Sequence, residues 1–170
     1  NAISLNALKA EINTNSIHTD ANIENINEKK KKKYLNGNDV LIVTGFQGVS
    51  EEGNITTLGR GGSDTSAVAL AGALNASCEI YSDFPGIFTT DPRIYPEARK
   101  LNQVSYDEIL EMARLGANVL HPRAVAIAKK YEIPLVCAGT FSDEDGTLIS
   151  SEPIEEAVVT GLSVMENQTQ

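Results

Sequence analysis

Residues 56–82 read TTLGRGGSDTSAVALAGALNASCEIYS. Gly59, Gly61 and Gly62 surround Arg60, and Ser63-Asp64 then opens a run rich in alanine and leucine. The run predicts a helix over 63–75, capped by Ser63 or Asp64, with Ala67, Leu70, Ala71 and Leu74 on one face. That face is small enough for the helix to lie close to a sheet. Cys78 to Ser82 follows as an apolar strand. Upstream, Val40 to Val43 is a continuous β-branched and apolar run of the kind buried in parallel sheets. Strand, helix and strand in that order predict a right-handed parallel βαβ unit.

Outward from this unit the alternation continues. Between Val43 and Thr57 the segment Ser50 to Asn54, SEEGN, predicts a hairpin turn. Ser105 with Glu108 three residues on is a capping-box start for a helix that stops near Gly116. Pro122 suits the first turn of another helix, with Pro134 just past its end. Leu135 to Ala138, Gly146 to Ile149 and Val158 to Val164 read as strands, and residues 150–157 as a linker. Toward the N-terminus, Ile3, Leu5, Leu8 and Ile12 fit the end of an amphipathic helix whose beginning is missing, and residues 13–21 fit a surface loop. The five lysines Lys29 to Lys33 are either the solvated face of a helix ending at Asn36-Gly37 or a surface for an anionic partner. The acidic remainder of the chain favours the former. The whole predicts an α/β domain with a mainly parallel sheet between helices.

The 170 residues are enough for a compact core. A formal net charge of -9 argues against a nucleic-acid partner, since phosphate backbones repel an acidic surface. No apolar run approaches the roughly 20 residues that span a bilayer. The opening NAISLNALKAEI has neither the basic region nor the cleavage site of a secretory leader. Cys78 and Cys137 lie in apolar strand runs and are expected as buried free thiols in a reduced cytosol. His18 and His121 have no zinc-like spacing, and no protein-held metal is expected. Mg²⁺ stays open, because it commonly binds through substrate phosphates.

In open parallel sheets, ligands bind beyond the carboxyl ends of the strands. Two loops should leave those ends side by side, residues 45–63 and 82–96. In the first, GRGGSD offers backbone amides at a helix N-terminus and the planar fork of Arg60, a combination suited to an anion. The second, SDFPGIFTTDPR, offers the carboxylates of Asp83 and Asp91, the aromatic Phe88 and the cation Arg93. Carboxylates can hold ribose hydroxyls, an aromatic can pack on a base and an arginine can meet phosphates. Glycine-rich turns and Asp-Pro turns are also common as purely structural features, so pattern alone leaves both readings open.

Taken together, the two loops resemble those of aspartokinases in the amino-acid kinase family. The resemblance is carried by VTGFQGVSEEGNITTLGRGGSDTSAVALAGALNA, CEIYSDFPGIFTTDPRIYPEARKL and SYDEILEMARLGANVLHPRAV, and runs from about Val40 to Ile149. TTDPR and VLHP argue against relatives acting on glutamate or uridylate. The resemblance implies a three-layer amino-acid kinase-like fold with its N-terminal part missing. Residues 1–152 would be the C-terminal portion of the kinase domain. Residues 153–170 would be a linker and first strand leading to a regulatory ACT-type domain.

The activity implied is ATP-dependent phosphorylation of the L-aspartate side chain to 4-phospho-L-aspartate, the step that opens lysine, threonine and methionine biosynthesis. Mg²⁺ would be held through the ATP phosphates, in a cytoplasmic enzyme that is a homo-oligomer at full length. By position, Arg60, Gly61, Gly62 and Ser63 would hold aspartate, and Asp64 would be the catalytic aspartate. Ser82, Asp83, Phe88, Arg93, Asn118 and Val119 would contact the nucleotide, with Ser82 at a usual threonine and Phe88 at a usual tyrosine.

Two departures from the pattern matter. The family's K-F-G-G-T-S strand is absent here, and Asn118 stands where G-A-K-V-L-H-P carries a lysine. Both lysines serve the transferring phosphate, so this chain is expected to be inactive by itself. A non-catalytic nucleotide- or effector-binding subunit descended from such a kinase is the alternative. An acceptor carboxylate, with a reference pKa of about 3.9, is already ionised at neutral pH and needs no strong base. The demand is electrostatic, and Asp64 is therefore read as an organiser of cationic groups and Mg²⁺-bound phosphate.

Overall fold

The computed structural model describes residues 1–37, 40–114 and 120–151. The chain divides into two compact units, Asn1–Ala76 and Ser77–Gln170. Asn118 and Val119, the expected helix stop at Gly116, most of the linker and the strand from Val158 all lie outside the described residues.

The first unit begins with strand β1 (Ala2–Leu5), a single helical turn α1 (Ala7–Ala10) and strand β2 (Ile12–Thr14). This corrects the expected helix end. Ile3 and Leu5 alternate at period two, and Asn6 caps the turn by accepting from Lys9 N–H at 3.0 Å. Glu11 then ends the turn in the left-handed region, φ 48°. Leu8, which a continuous amphipathic helix would bury, is 44% exposed. Strand β3 (Ile23–Ile26), also unforeseen, pairs antiparallel with β2. Leu5, Ala10, Ile12 and Ile26 form one core cluster, with Leu41, Val43, Leu70 and Ala73 packed against it.

Helix α2 (Glu28–Leu35) carries the lysine run and ends at the Asn36 cap, as expected. Four of the five lysines follow the solvated reading. Lys31 does not: it is 1% exposed, and its ammonium donates to the carbonyls of Ala10 and Asn27. At the end of α1 the Glu11 N–H takes the Ala7 and Leu8 carbonyls, and Lys31 takes that of Ala10, a position that favours a cation. Burial pushes the Lys31 pKa down. The neighbouring Lys30 pairs with Glu11.

Strand β4 (Val40–Val43) runs parallel to β1 in a two-stranded sheet. Strands β5 (Gln47–Val49) and β6 (Ile55–Thr57) form the hairpin predicted from SEEGN, and β5 continues the sheet in the order β3-β2-β5-β6. Helix α3 (Gly62–Leu74) closes the unit. Its N-cap is Gly61, in the left-handed region, with no side-chain capping bond, rather than Ser63 or Asp64. Its buried positions are Gly62, Thr65, Ser66, Val68 and Ala71, so the expected alanine-leucine face is rotated and only Ala71 of it is buried.

The second unit holds a four-stranded sheet ordered β7-β9-β10-β8, from strands β7 (Cys78–Ser82), β8 (Gln103–Ser105), β9 (Leu135–Gly139) and β10 (Thr147–Ser150). Strands β7 and β9 are parallel, β9 and β10 antiparallel, and β10 and β8 parallel. Strands β4 and β7, expected as neighbours in a βαβ unit, fall in different units, and within its own unit each runs parallel to another partner, β1 and β9.

Helix α4 (Tyr106–Arg114) starts with the predicted capping box. Ser105 N–H and Oγ both donate to the Glu108 carboxylate, at 2.8 and 2.7 Å, and Glu108 N–H donates back to Ser105 Oγ at 3.2 Å. Helix α5 (Pro122–Tyr131) has Pro122 in its first turn, as expected. Ile109, Met112, Ala124, Val125 and Ala128 are buried between these helices and the sheet, and Tyr106 Oη donates to the Ile133 carbonyl at 2.7 Å. Cys78 and Cys137 are buried and form no disulfide.

Candidate functional site

In the first unit the glycine loop is fixed from two sides. Leu58 N–H donates to the Phe46 carbonyl at 3.0 Å, and Phe46 N–H donates to Ser66 Oγ at 3.1 Å. Ser66 Oγ also donates to the carbonyls of Gly62 and Ser63, each at 2.9 Å, so one buried hydroxyl ties the first turn of α3 to the residue that precedes β5. A Cβ on Gly62 would lie 2.8 Å from the Phe46 ring and 2.9 Å from Leu58 Cβ, so nothing larger than glycine fits without displacing them. On the other flank, Ala21 N–H reaches the Thr57 carbonyl and Thr57 N–H the His18 carbonyl, both at 2.9 Å.

With Gly61 as cap, Ser63 and Asp64 are freed from capping. Ser63 is exposed and Asp64 half-buried, both in the first turn. Arg60 is exposed one residue before the cap. Among the described residues, no side-chain hydrogen bond or ion pair engages Arg60, Ser63 or Asp64. A helix N-terminus with open amides, one cation and one carboxylate is therefore ready for a zwitterionic or anionic ligand.

Two residues of this site escaped the sequence reading. Phe46 has φ 68°, costly for a bulky side chain, and yet stays 44% exposed. Only the Gly45-Phe46 junction after a strand could have signalled it. Ser66 gave no signal, because a serine one turn inside a helix is ordinary.

In the second unit, β7 and β9 are neighbours and parallel, so the loops leaving their carboxyl ends share one rim. Thr140 N–H donates to the Ser82 carbonyl at 2.7 Å, and Gly139 packs on Pro85. The loop after β9 is thus a third component that motif reading did not single out. Ser82 Oγ accepts from Phe84 N–H at 3.1 Å, forming a tight turn that leaves Asp83 exposed. Phe88 is half-buried and bridges to Lys100.

Asp91 is engaged rather than open. Its two oxygens accept from Arg93 N–H, Nε and Nη2 at 2.9, 3.0 and 2.6 Å, and the Arg93 guanidinium lies 5.4 Å from the Phe84 ring. The Arg93 side chain holds the Asp91 carboxyl below its ordinary range. Asp91 is therefore taken up by Arg93, whereas Asp83 of the same loop is exposed. Arg60, Gly61, Gly62, Ser63 and Asp64 are brought together in one turn. Ser82, Asp83, Phe88 and Arg93 lie on one loop of the other unit.

Among the described residues no cluster of three or more His, Cys, Asp or Glu could hold a metal. No described helix is long and apolar enough to cross a membrane.

One unit thus holds a glycine turn that opens a helix, and the other a Ser-Asp turn followed by the Asp91–Arg93 fork. Residues 1–139 match the model of the amino acid kinase family, and the chain belongs to that family. Within it, the chain is 50% identical to the aspartokinase of Geobacillus stearothermophilus and 50% identical to aspartokinase 2 of Bacillus subtilis, in each case over 99% of its own length. It spans 42% of the length of each of these relatives.

Solved structures agree. E. coli aspartokinase III in complex with aspartate and ADP superposes with a TM-score of 0.78 at 32% identity, over 91% of this chain and 36% of that one. Aspartate kinase from Synechocystis gives 0.72 at 48% identity, over 92% and 26%. The UMP kinase of Bacillus anthracis, at 18% identity and a TM-score of 0.56, shares the fold alone.

Proposed function

We propose that this chain is part of an aspartate kinase, which transfers the γ-phosphoryl group of ATP to the side-chain carboxylate of L-aspartate and yields 4-phospho-L-aspartate. The observation that carries the reading is the start of α3, where, among the described residues, no side-chain hydrogen bond or ion pair engages Arg60, Ser63 or Asp64. An amino acid with a second carboxylate matches that set: Arg60 takes a carboxylate as a fork, the turn's amides and Ser63 hold it in place, and Asp64 faces cationic groups. Ser82, Asp83, Phe88 and Arg93 form the nucleotide side, with Asp91 fixing Arg93. Asn118 and Val119 extend it by position in the motif. The relative solved with aspartate and ADP supports both halves.

Mg²⁺ bound through the ATP phosphates would neutralise charge on the transferring group. The chain's own contribution is to hold the acceptor carboxylate with Arg60 and to keep Arg93 aimed through Asp91. Asp64 needs no base role, since the acceptor is ionised at neutral pH. Lysine, threonine and methionine biosynthesis is the setting such a product serves. A cytoplasmic homo-oligomer with an ACT-type regulatory domain starting in residues 153–170 completes the proposal, and the reduced thiols of Cys78 and Cys137 are consistent with that compartment.

The test is a hydroxamate assay on the full-length protein with ATP and either aspartate or glutamate. Aspartate should be the acceptor, and Asp64→Asn should lower turnover by about a hundredfold or more while nucleotide binding persists. Near-normal turnover in Asp64→Asn sinks the assigned role. Asn118, in place of the usual lysine, favours a second reading, a nucleotide-binding subunit without turnover. A full-length protein that binds ATP and phosphorylates neither acid would establish it.

A further inference from the structure

The segment from Phe88 to Lys100 is a finger whose two stems meet at one buried hydroxyl. Ile87 N–H donates to Thr147 Oγ1 at 2.8 Å, and Thr147 Oγ1 donates to the Leu101 carbonyl at 2.5 Å. Leu101 N–H closes the base on the Ile87 carbonyl at 2.8 Å. Thr147 is 0% exposed and opens β10, remote in sequence from every motif of the site. Gly86 comes so close to the same hydroxyl that a Cβ there would lie 2.7 Å from Oγ1, and its φ of 147° is one that side chains rarely adopt.

A second grip lies outside the first. Lys100 Nζ pairs with the Glu144 carboxylate at 2.8 Å and donates to the Asp145 carbonyl at 2.6 Å, both in the turn that leads into β10. Beyond this base, Phe88 bridges to Lys100. Thr89 N–H donates to the Arg99 carbonyl at 2.9 Å, and Arg99 N–H to Thr89 Oγ1 at 3.1 Å. The Asp91–Arg93 fork stands at the end of this ladder.

We infer that Thr147 is a positioning residue for the nucleotide: its hydroxyl, accepting from one stem and donating to the other, sets where Phe88 and the Asp91–Arg93 fork stand relative to the carboxyl end of β7. The inference rests on the assignment of residues 82–93 to the nucleotide. Valine matches threonine in shape and can do neither half of the bridging, leaving Ile87 N–H and the Leu101 carbonyl without this partner. Serine can do both.

The experiment uses the full-length protein, with steady-state kinetics against both substrates and titration with a fluorescent ATP analogue. Thr147→Val should raise the KM for ATP and the Kd of the analogue about tenfold, with the KM for aspartate unchanged within about twofold. Thr147→Ser should restore both nucleotide values. Lys100→Gln releases the outer grip without touching the core, and should move the ATP KM the same way by about two- to threefold.

Thr147→Val with wild-type analogue affinity, or with both KM values raised together, overturns the inference, because a purely structural loss either lowers the active fraction, which leaves KM unchanged, or disturbs both substrates alike. If Thr147→Val does not fold, Lys100→Gln decides, and an unchanged ATP KM overturns the idea. A wild-type protein that binds no nucleotide overturns the assignment of the loop and this inference with it. One that binds nucleotide but leaves aspartate unphosphorylated sinks the aspartate reading alone, and the titration still decides Thr147.

Discussion

Glu11 sits on the left-handed turn between α1 and β2, where its carboxylate accepts from Lys30 Nζ and from Asn27 Nδ2, the latter at 2.6 Å. The hydrogen bond from Lys30 is the main cause that holds its pKa below the ordinary glutamate value, with Asn27 second. A carboxyl whose folded pKa is depressed stabilises the fold above its unfolded pKa and loses that contribution as pH falls through the folded one. Glu11→Gln should therefore lower the melting temperature at about pH 7, and the difference should shrink as pH falls through the depressed folded pKa. Equal melting curves for the two proteins at neutral pH would show that the pair contributes nothing. Residues of this kind were opaque in the sequence. A run of five lysines gave no hint that Lys31 turns inward to carbonyls while Lys30 meets a glutamate 19 positions away, because both outcomes depend on where α1 stops.

Elements were legible where the signal was local. The capping box at Ser105 and Glu108 formed as spacing predicted, since each partner lies three residues from the other and needs no tertiary contact. Ser105→Ala should cost about 1 kcal/mol in equilibrium urea denaturation, and a loss under about 0.3 kcal/mol would mean that the strand residue beside it, not the cap, fixes the helix start. Elements were illegible where two periods fit the same residues. Ile3, Leu5, Leu8 and Ile12 satisfy a helix on paper, and only the exposure of Leu8 and the Asn6 cap show why a strand, a turn and a strand win. Three-residue strands such as β8 hold too few residues to show a period at all. The cap of α3 was missed for a related reason: glycine carries no side-chain signal, yet its left-handed conformation turns the chain and leaves Ser63 and Asp64 available.

At the scale of the whole molecule, the motifs gave the family, whereas the pairing of strands was beyond them. Strands β4 and β7 each found a parallel partner outside the local strand-helix-strand order, which no pattern within residues 40–82 specifies. The proposed function implies a division of labour. The residues proposed for aspartate lie in the unit Asn1–Ala76, and those proposed for the nucleotide lie in the unit Ser77–Gln170. Each unit has its own core, so a substitution confined to one loop should disturb one substrate only. Arg60→Ala in the full-length protein removes a carboxylate-binding fork and should raise the KM for aspartate about tenfold or more, leaving the KM for ATP within about twofold. Arg93→Ala removes the guanidinium that Asp91 orients and should do the reverse. Because the two residues lie in different compact units, the double variant should show both losses, adding in free energy. Arg93→Ala with a raised KM for aspartate, or a double variant no worse than either single one, would mean that the two loops act as one unit and that the assignment of substrates to units is wrong.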